Sequence, residues 1–203
     1  MATYIIIAVI AYLIGSINFS IILSKRMAGF DIREKGSGNA GTTNMLRAVG
    51  KKAAVITLIC DILKGVVSIL IAVLAGKIVK NLDNALLVQL AGIFVIIGHT
   101  FPIFFKFKGG KGIATSLGVL LMTNWQIGLI CLVFALIIMA ATRWVSLGSI
   151  LAATLFPVLT VFMVDNIGAK IISILIGALV IFNHRTNIVR LKNGTENKLS
   201  FKK

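Results

Sequence analysis

The stretch GSGNAG at residues 36–41, here called the first glycine loop, has the spacing Gly-x-Gly-x-x-Gly. With Asp61 about 20 residues further on, it matches the dinucleotide-binding fingerprint. That fingerprint requires a strand before the glycines and a helix after them in a βαβ unit. Apolar runs of membrane-span length stand on both sides instead, so we reject a dinucleotide site. The glycines allow positive φ and predict a nest of outward-facing N–H groups that binds an anion.

The residues that follow, TTNMLRAVG, predict a short helix capped by Thr43 or Asn44. The N-terminus of such a helix favours an anion, and Arg47 on the helix can bind phosphate through two hydrogen bonds. Ser37 places a small hydroxyl between two glycines. The alternative, which the glycines alone leave open, is a flexible loop with solvated charges.

A second glycine loop, residues 108–112, reads KGGKG and precedes an apolar run. It is not a P-loop, because Phe105 occupies the position of the first glycine. Gly109, Gly110 and Gly112 around Lys111 nevertheless predict a second phosphate-binding loop at a helix N-terminus, with added charge from Lys108. His99, upstream of this loop, is interpreted as a hydrogen-bonding residue at the membrane interface rather than a catalyst.

A third polar segment, residues 184–196, follows the last apolar run and reads HRTNIVRLKNGTE. His184, Asn187 and Arg190 are spaced by three, so they share one face if the helix continues. Such a stripe suits a polar headgroup. The alternative is the snorkelling basic end of a membrane span.

Acidic residues are rare in these three segments and their flanks, where only Asp31, Glu34 and Glu196 occur. This leaves few carboxylates for Mg²⁺, so we predict no metal and no cofactor. The His-x4-Asp signature of one acyltransferase class is also absent, since neither histidine is followed by Asp at that spacing.

The composition is that of an integral membrane protein. Of the 203 residues, 58% are hydrophobic and 13% are charged, and the mean hydropathy is +1.02. The net charge of +15 is attributed to membrane topology and anionic lipid headgroups, not to nucleic acid. Cys60 and Cys131 lie in apolar runs and are read as small buried residues. We expect one domain over residues 1–203, beginning with a retained span rather than a cleaved signal.

The predicted fold is an all-α, polytopic membrane helix bundle. The apolar runs lie at 3–24, 53–76, 84–100, 112–122, 127–142, 146–164 and 168–183. They give seven short spans, or five spans and a hairpin over 112–142. With the N-terminus outside, 17 of the 21 Lys and Arg residues fall on the inner side and three on the outer side. This predicts a cytoplasmic C-terminus. Asp61 and Lys64, three residues apart within the second run, are expected to pair.

Joint occurrence of the segments makes the sequence resemble the bacterial acyl-phosphate:glycerol-3-phosphate acyltransferases, the PlsY-type membrane enzymes. The similar stretches are GSGNAGTTNMLRAVGKK, DILKG, GHTFPIFFKFKGGKGIAT and HRTNIVRLKNGTE, in that order. The resemblance implies transfer of an acyl group from acyl phosphate to the 1-hydroxyl of sn-glycerol 3-phosphate. The products are lysophosphatidic acid and phosphate, and the reaction is the first acylation of phospholipid biosynthesis.

The residues and the resemblance together predict a site on the cytoplasmic face of a bacterial cell membrane. Catalytic roles are predicted for Ser37, Arg47, His184 and Asn187. Substrate-binding roles are predicted for Gly36, Gly38, Asn39, Thr43, Asn44, Lys108, Gly109, Gly110, Lys111, Gly112 and Arg190. Glu196 is read as structural. Partners are the two substrates, membrane lipid and, transiently, the enzyme that produces acyl phosphate, with no nucleic acid.

The proton of the attacking hydroxyl has two candidate acceptors, His184 and a substrate phosphate, and we favour the phosphate with His184 orienting the ligand. Ser37 is expected to hydrogen-bond substrate rather than act as a nucleophile. Two other functions fit membrane spans. An organophosphate transporter would need a polar path at mid-membrane, and a scaffold on anionic lipid would not need the glycine loops.

Overall fold

The structure is a computed structural model, and it describes residues 1–199. Within that range the chain is helical, with no strand. The helices are α1 Ala2–Ser16, α2 Phe19–Ala28, α3 Thr42–Ala48, α4 Lys51–Ile78, α5 Asn84–Thr100, α6 Ile113–Thr123, α7 Trp125–Thr142, α8 Val145–Met163, α9 Ile167–Asn183 and α10 Arg185–Lys192. Lys202 and Lys203, counted above on the inner side, lie outside the described residues.

All seven predicted apolar runs form helices, which confirms the all-α membrane architecture. Five segments within residues 1–199 are long and apolar enough to cross a membrane, and a sixth is added if α9 and α10, bent by 56°, form one span. Helix α6 has eleven residues, about 16 Å at 1.5 Å per residue, and falls below that length. The orientation of the termini stays a prediction.

The chain divides into two compact units, Met1–Thr123 and Asn124–Lys203. The expectation of one domain over the whole chain stays a prediction, and each unit is described by itself. In the first unit, α1 packs on α5, and α4 packs on α5 and α6. Two of these crossings are close because glycines face a neighbouring backbone. A Cβ on Gly98 would meet the carbonyl of Tyr12, and one on Gly118 would meet that of Ile62, as in small-residue packing of membrane helices.

A break between α1 and α2 interrupts the first span of this unit. Asn18 caps α2, where its side chain accepts a hydrogen bond from the N–H of Ile21 at 3.2 Å. The helix does not continue after α1, so the carbonyls in its last turn lack the N–H donors of a following turn. Those of Gly15 and Ile17 instead accept hydrogen bonds from the buried Lys64 ammonium, each at 3.0 Å.

In the second unit, α8 packs on both α7 and α9. Asn124 and Asn166 cap α7 and α9. The segment after α10 folds back within this unit, because the N–H of Leu199 donates to the carbonyl of Arg143 at 2.7 Å. Cys131 is buried, Cys60 is half-buried, and both thiols are free.

Candidate active site

Asn44 determines the shape of the first glycine loop. It is 1% exposed, and its Nδ2 donates to the carbonyls of Ile32, Lys35 and Asn39 at 2.9–3.1 Å. Its Oδ1 accepts the N–H of Ser37 at 3.0 Å. A Cβ at position 36 would collide with Oδ1, and both Gly36 and Gly38 have positive φ. The glycines therefore let the loop close around one amide side chain.

This arrangement corrects two predictions about the first glycine loop. The N-cap of α3 is Gly41, with no side-chain cap, so neither Thr43 nor Asn44 has the predicted capping role. The predicted nest of outward-facing N–H groups is also wrong for three of the loop amides. That of Ser37 is bound by Asn44, and those of Gly38 and Gly41 donate to the carbonyls of Lys35 and Asn39. Internal hydrogen bonds satisfy these donors, and this leaves side chains to provide most of any anion binding.

Helix α3 carries Arg47 on its exposed side and Met45 on its buried side. Met45 is fully buried in a cluster with Ile21, Ile32, Ala40 and Ala53. Because this apolar cluster holds the helix and the loop residue Ala40 together, it fixes where the Arg47 side chain emerges. Ser37 is half-buried in the same loop.

The second glycine loop is tied to the end of α5. The N–H groups of Gly109 and Gly110 donate to the carbonyls of Thr100 and His99, both at 3.1 Å. The predicted use of these two amides for phosphate is therefore wrong. The glycines are needed for close packing, since a Cβ on Gly109 would meet the His99 carbonyl and one on Gly110 the His99 ring. Gly112, with φ of 90°, turns the chain into α6 just after Lys111.

The two glycine loops lie side by side in the first unit. A Cβ on Gly110 would stand 2.6 Å from the carbonyl oxygen of Ala40. Arg33 links the loops as well, because its Nη1 donates to the carbonyls of Phe105 at 2.8 Å and Lys108 at 3.3 Å. Arg47 follows the first loop on α3, and Lys111 lies within the second loop, so each loop carries or adjoins a basic residue.

Asp31 holds the linking guanidinium in place. Its carboxylate accepts hydrogen bonds from Arg33 Nε at 3.0 Å and Nη2 at 2.8 Å. Hydrogen bonding by Arg33 lowers the pKa of Asp31 to about 2. Sequence reasoning missed this pair. The available signal was an Asp two residues before an Arg at a turn of 3₁₀ helix, where an Asp side chain commonly bonds the backbone ahead of it.

Asp61, Lys64 and His99 form a buried polar cluster next to the second glycine loop. Lys64 Nζ is 2.9 Å from Asp61 Oδ1, which confirms the predicted pair, and His99 Nδ1 is 3.5 Å from the same oxygen. His99 is 3% exposed. The ring is therefore enclosed by the protein, and its interpretation as a residue at the depth of the membrane interface stays a prediction.

In the second unit, Glu196 organises the polar segment. Its Oε1 accepts hydrogen bonds from Ser146 Oγ and Asn187 Nδ2, and its Oε2 accepts one from Arg190 Nε, all at 2.8 Å. Burial alone would raise the pKa of Glu196, but these three donors outweigh it and the pKa lies below its usual value. The structural role expected for Glu196 agrees with this geometry. Arg190 is paired with a carboxylate, a partner that its spacing in sequence did not indicate.

His184 stands at the bend between α9 and α10, so the helix does not continue unbroken through the three residues and the condition set for a face shared by all three is not met. Asn187 and Arg190 still share a face of α10, as both bind Glu196. His184 Nδ1 lies 2.8 Å from the carbonyl of Val180. Since a carbonyl only accepts, Nδ1 carries the hydrogen, and Nε2 is the basic nitrogen of the neutral ring.

Comparison with known proteins identifies the family. The model of the family described as "Glycerol-3-phosphate acyltransferase" matches residues 5–194. The chain belongs to the glycerol-3-phosphate acyltransferase family. A relative of that name from Clostridioides difficile (strain 630) is 48% identical over 201 residues, which cover 99% of this chain and 98% of the relative. One from Thermoanaerobacter pseudethanolicus is 47% identical, covering 96% and 95%.

Solved structures resemble this acyltransferase over nearly its whole length. The crystal structure of PlsY (YgiH), an integral membrane glycerol 3-phosphate acyltransferase, in its glycerol 3-phosphate form matches with a TM-score of 0.89 and 38% identity. The match covers 98% of this chain and 96% of that one. The lysophosphatidic acid form of PlsY matches with a TM-score of 0.86 and 37% identity, with the same coverage. This chain is thus an integral membrane acyltransferase of the PlsY type.

Proposed function

We propose that this acyltransferase transfers an acyl group from acyl phosphate to the 1-hydroxyl of sn-glycerol 3-phosphate. The products are lysophosphatidic acid and inorganic phosphate, and the reaction begins phospholipid biosynthesis at the cytoplasmic face of a bacterial cell membrane. Family membership and the two ligand forms of the PlsY structures support the acceptor and the lipid product. The donor rests on the resemblance of the motifs and on the chemistry of the first unit.

The observation that carries the proposal is the pair of glycine loops locked side by side. Each loop precedes a helix; Arg47 lies on the helix after the first loop, and Lys111 lies in the second loop. Two phosphate-bearing substrates repel each other, so bringing them together requires fixed positive charge. Fixed cations and a rigid loop backbone supply this without reorganisation at the moment of reaction.

The roles of individual residues follow as proposals. Arg47 binds the phosphate of glycerol 3-phosphate, and Lys111, assisted by Lys108, binds the phosphate of the donor. Ser37 donates a hydrogen bond to a substrate oxygen. The remaining loop residues give the loops their shape. They contact the substrates through those backbone groups that are not bonded within the loops. These residues are Gly36, Gly38, Asn39, Thr43, Asn44, Gly109, Gly110 and Gly112.

The reaction needs little acid catalysis because acyl phosphate is already activated. The hydroxyl oxygen attacks the carbonyl carbon, a new ester bond forms, and the carbon–oxygen bond to phosphate breaks. The hydroxyl proton passes to a phosphate oxygen, whose second pKa is about 6, with His184 Nε2 as the protein alternative. We propose that His184 and Asn187 orient the acceptor and that Arg190 aids polar binding. No carboxylate-bound metal enters this scheme.

The proposal is tested by offering the purified protein three donors in parallel in the presence of EDTA. Acyl phosphate, acyl-CoA and acyl carrier protein thioester are each incubated with glycerol 3-phosphate, and lysophosphatidic acid is measured by mass spectrometry. We expect product from acyl phosphate. Product from a thioester alone would refute the donor, and product that requires added Mg²⁺ would refute the metal-free scheme. The matched control is Lys170→Met, which removes a lysine far in sequence from both glycine loops.

A further inference from the structure

We propose that Asp61 and His99 are positioning residues, which set the place of the second glycine loop from within the helices of the first unit. The proposal rests on the function proposed above, because it assigns these residues to the donor phosphate side of that reaction. It accounts for three ionisable side chains that are almost fully buried between apolar helices and that the chemistry described so far does not use.

The Lys64 ammonium is the fixed end of this arrangement. Its Nζ has three oxygen neighbours at 2.9–3.0 Å, two joined to it by hydrogen bonds and one by an ion pair. Two of these are the carbonyls of Gly15 and Ile17 at the break between α1 and α2, and the third is Asp61 Oδ1. Lys64 therefore holds the Asp61 carboxylate at a defined position against the helix break.

Asp61 in turn faces the His99 ring. The distance from Asp61 Oδ1 to His99 Nδ1 is 3.5 Å, and both side chains are 3–4% exposed. A carboxylate on the Nδ1 side directs that edge of the ring inward. The opposite edge, with Nε2 and Cε1, then faces the second glycine loop.

Gly110 receives this ring edge. A Cβ on Gly110 would collide with His99 Nε2 and would lie 2.8 Å from Cε1 and 2.6 Å from the carbonyl oxygen of Ala40. The glycine is thus enclosed between the His99 ring and the first glycine loop, and its N–H is bound by the His99 carbonyl. Contact with the ring edge therefore limits where Gly110 can lie.

Lys111 is the residue directly after this contact, so a shift of Gly110 moves the proposed donor-phosphate cation. A misplacement of about 1 Å can cost about 10²-fold in rate, even when the change lies away from the reacting atoms. A role confined to packing would not single out one substrate. A positioning role predicts that the Michaelis constant for acyl phosphate changes more than that for glycerol 3-phosphate.

The first test is His99→Asn, because the Asn amide keeps a donor near the Nδ1 position while the ring edge against Gly110 is lost. We expect kcat/KM to fall about 10²-fold, with a higher KM for acyl phosphate and a KM for glycerol 3-phosphate changed by less than about threefold. Asp61→Asn should show the same pattern in weaker form. Ser68→Ala is the control, since Ser68 is equally buried on α4 but bonds only the Lys64 carbonyl.

A double-mutant cycle decides between positioning and independent packing effects. Gly110→Ala is measured alone and together with His99→Asn, with thermal unfolding in detergent recorded for each variant. If both act through the same contact, the double variant will lose much less than the product of the two single losses. Multiplicative losses, equal changes in both Michaelis constants, or full activity of folded His99→Asn would overturn the proposal. Asp61→Asn gives the same decision if His99→Asn does not fold.

The assays use whichever acyl donor the wild-type protein accepts. A wrong donor assignment and a wrong positioning role therefore give different results. The wild type alone decides the former, and the ratio of Michaelis constants among variants decides the latter.

Discussion

The first glycine loop and the polar segment are each organised by one buried side chain, but the two side chains differ in charge. Asn44 is neutral and binds backbone groups, with its amide shared among three carbonyls and one N–H. Glu196 is a carboxylate and binds three side-chain donors. An amide that binds backbone fixes the shape of the chain itself. A carboxylate that binds side chains fixes their orientation on a helix that is already formed.

The difference has two consequences for function. Loss of Asn44 leaves the N–H of Ser37 without its partner and removes the hydrogen bonds that tie the carbonyls of Ile32, Lys35 and Asn39 to one side chain. Loss of one donor around Glu196 leaves the other two in place. A single substitution at Asn44 should therefore disrupt the whole first glycine loop. Substitutions around Glu196 should reduce activity by smaller amounts, one donor at a time, and the stability that Glu196 provides should depend on pH.

The largest effect is expected for Asn44→Ala. This substitution removes four hydrogen bonds, each worth about 0.5–1.5 kcal/mol, and leaves the Ser37 N–H without its partner. We expect acyl transfer to fall about 10³-fold, the upper range for loss of preorganised groups in an active site. Initial rates and thermal unfolding in detergent measure the effect. Activity within tenfold of wild type would show that the loop keeps its shape without the amide.

A smaller effect is expected for Glu196→Gln, which preserves shape but removes the charge. The single amide oxygen can still accept from Ser146 and Asn187, but the amide NH2 group then faces Arg190 Nε, which is also a donor, so that hydrogen bond is lost. We expect kcat to fall about tenfold, as for loss of one orienting group that supports a catalytic residue. The same assay with Glu196→Ala should give a larger loss. Equal activity of the two variants would contradict an orienting role for the carboxylate.

The pH dependence of stability separates the two regions further. The pKa of Glu196 is lowered in the folded protein, so its stabilising contribution is complete above its ordinary value of 4.5 and is lost as pH falls through the lower folded value. The stability gap between wild type and Glu196→Gln should therefore shrink on acidification below 4.5.

The contribution of Asp31 to stability changes with pH in the same direction, but over a lower pH range. Its contribution should be complete above pH 3.8 and lost as pH falls towards about 2.

The stability gap between wild type and Asn44→Ala should stay constant across pH, because Asn44 does not titrate. Denaturant unfolding of wild type and the two variants across pH 7 to 3 provides the measurement. A gap for Asn44→Ala that closes in acid would contradict the distinction between the regions.

The smallest effect is expected for Ser146→Ala. It removes one of three donors to Glu196, and the hydrogen bonds of Asn187 and Arg190 remain. A loss of about two- to fivefold in kcat is expected, corresponding to a hydrogen bond of about 0.5–1 kcal/mol. Steady-state rates at saturating substrates suffice. A loss as large as that of Glu196→Gln would indicate that the serine acts in another way than through the carboxylate.

The parts of the structure that depend on local pattern were predictable from the sequence. The seven apolar runs all became helices, and the Asp61–Lys64 pair followed from spacing on one helix. Asn44 was misassigned as a cap because its four partners lie 5 to 12 residues away along an irregular loop. No periodicity determines the path of such a loop.

Contacts between distant elements were beyond the sequence for a similar reason. His99 meets Asp61 only because α5 packs on α4, and Arg33 reaches Phe105 across 72 residues. The glycines of the second loop were singled out for their amides, whereas the structure shows a packing role for Gly109 and Gly110. Their missing Cβ atoms matter for packing against His99 and Ala40, whereas two of their amides are already bound.

In the proposed reaction an acyl group leaves phosphate for the hydroxyl of glycerol 3-phosphate. The decisive measurement uses acyl phosphate that carries ¹⁸O in the oxygen bridging carbon and phosphorus, incubated with purified protein and glycerol 3-phosphate in EDTA. Attack at the carbonyl carbon predicts that the label leaves with inorganic phosphate, in equal amount to the lysophosphatidic acid formed. Label retained in a free fatty acid, or release of phosphate without lysophosphatidic acid, would contradict it.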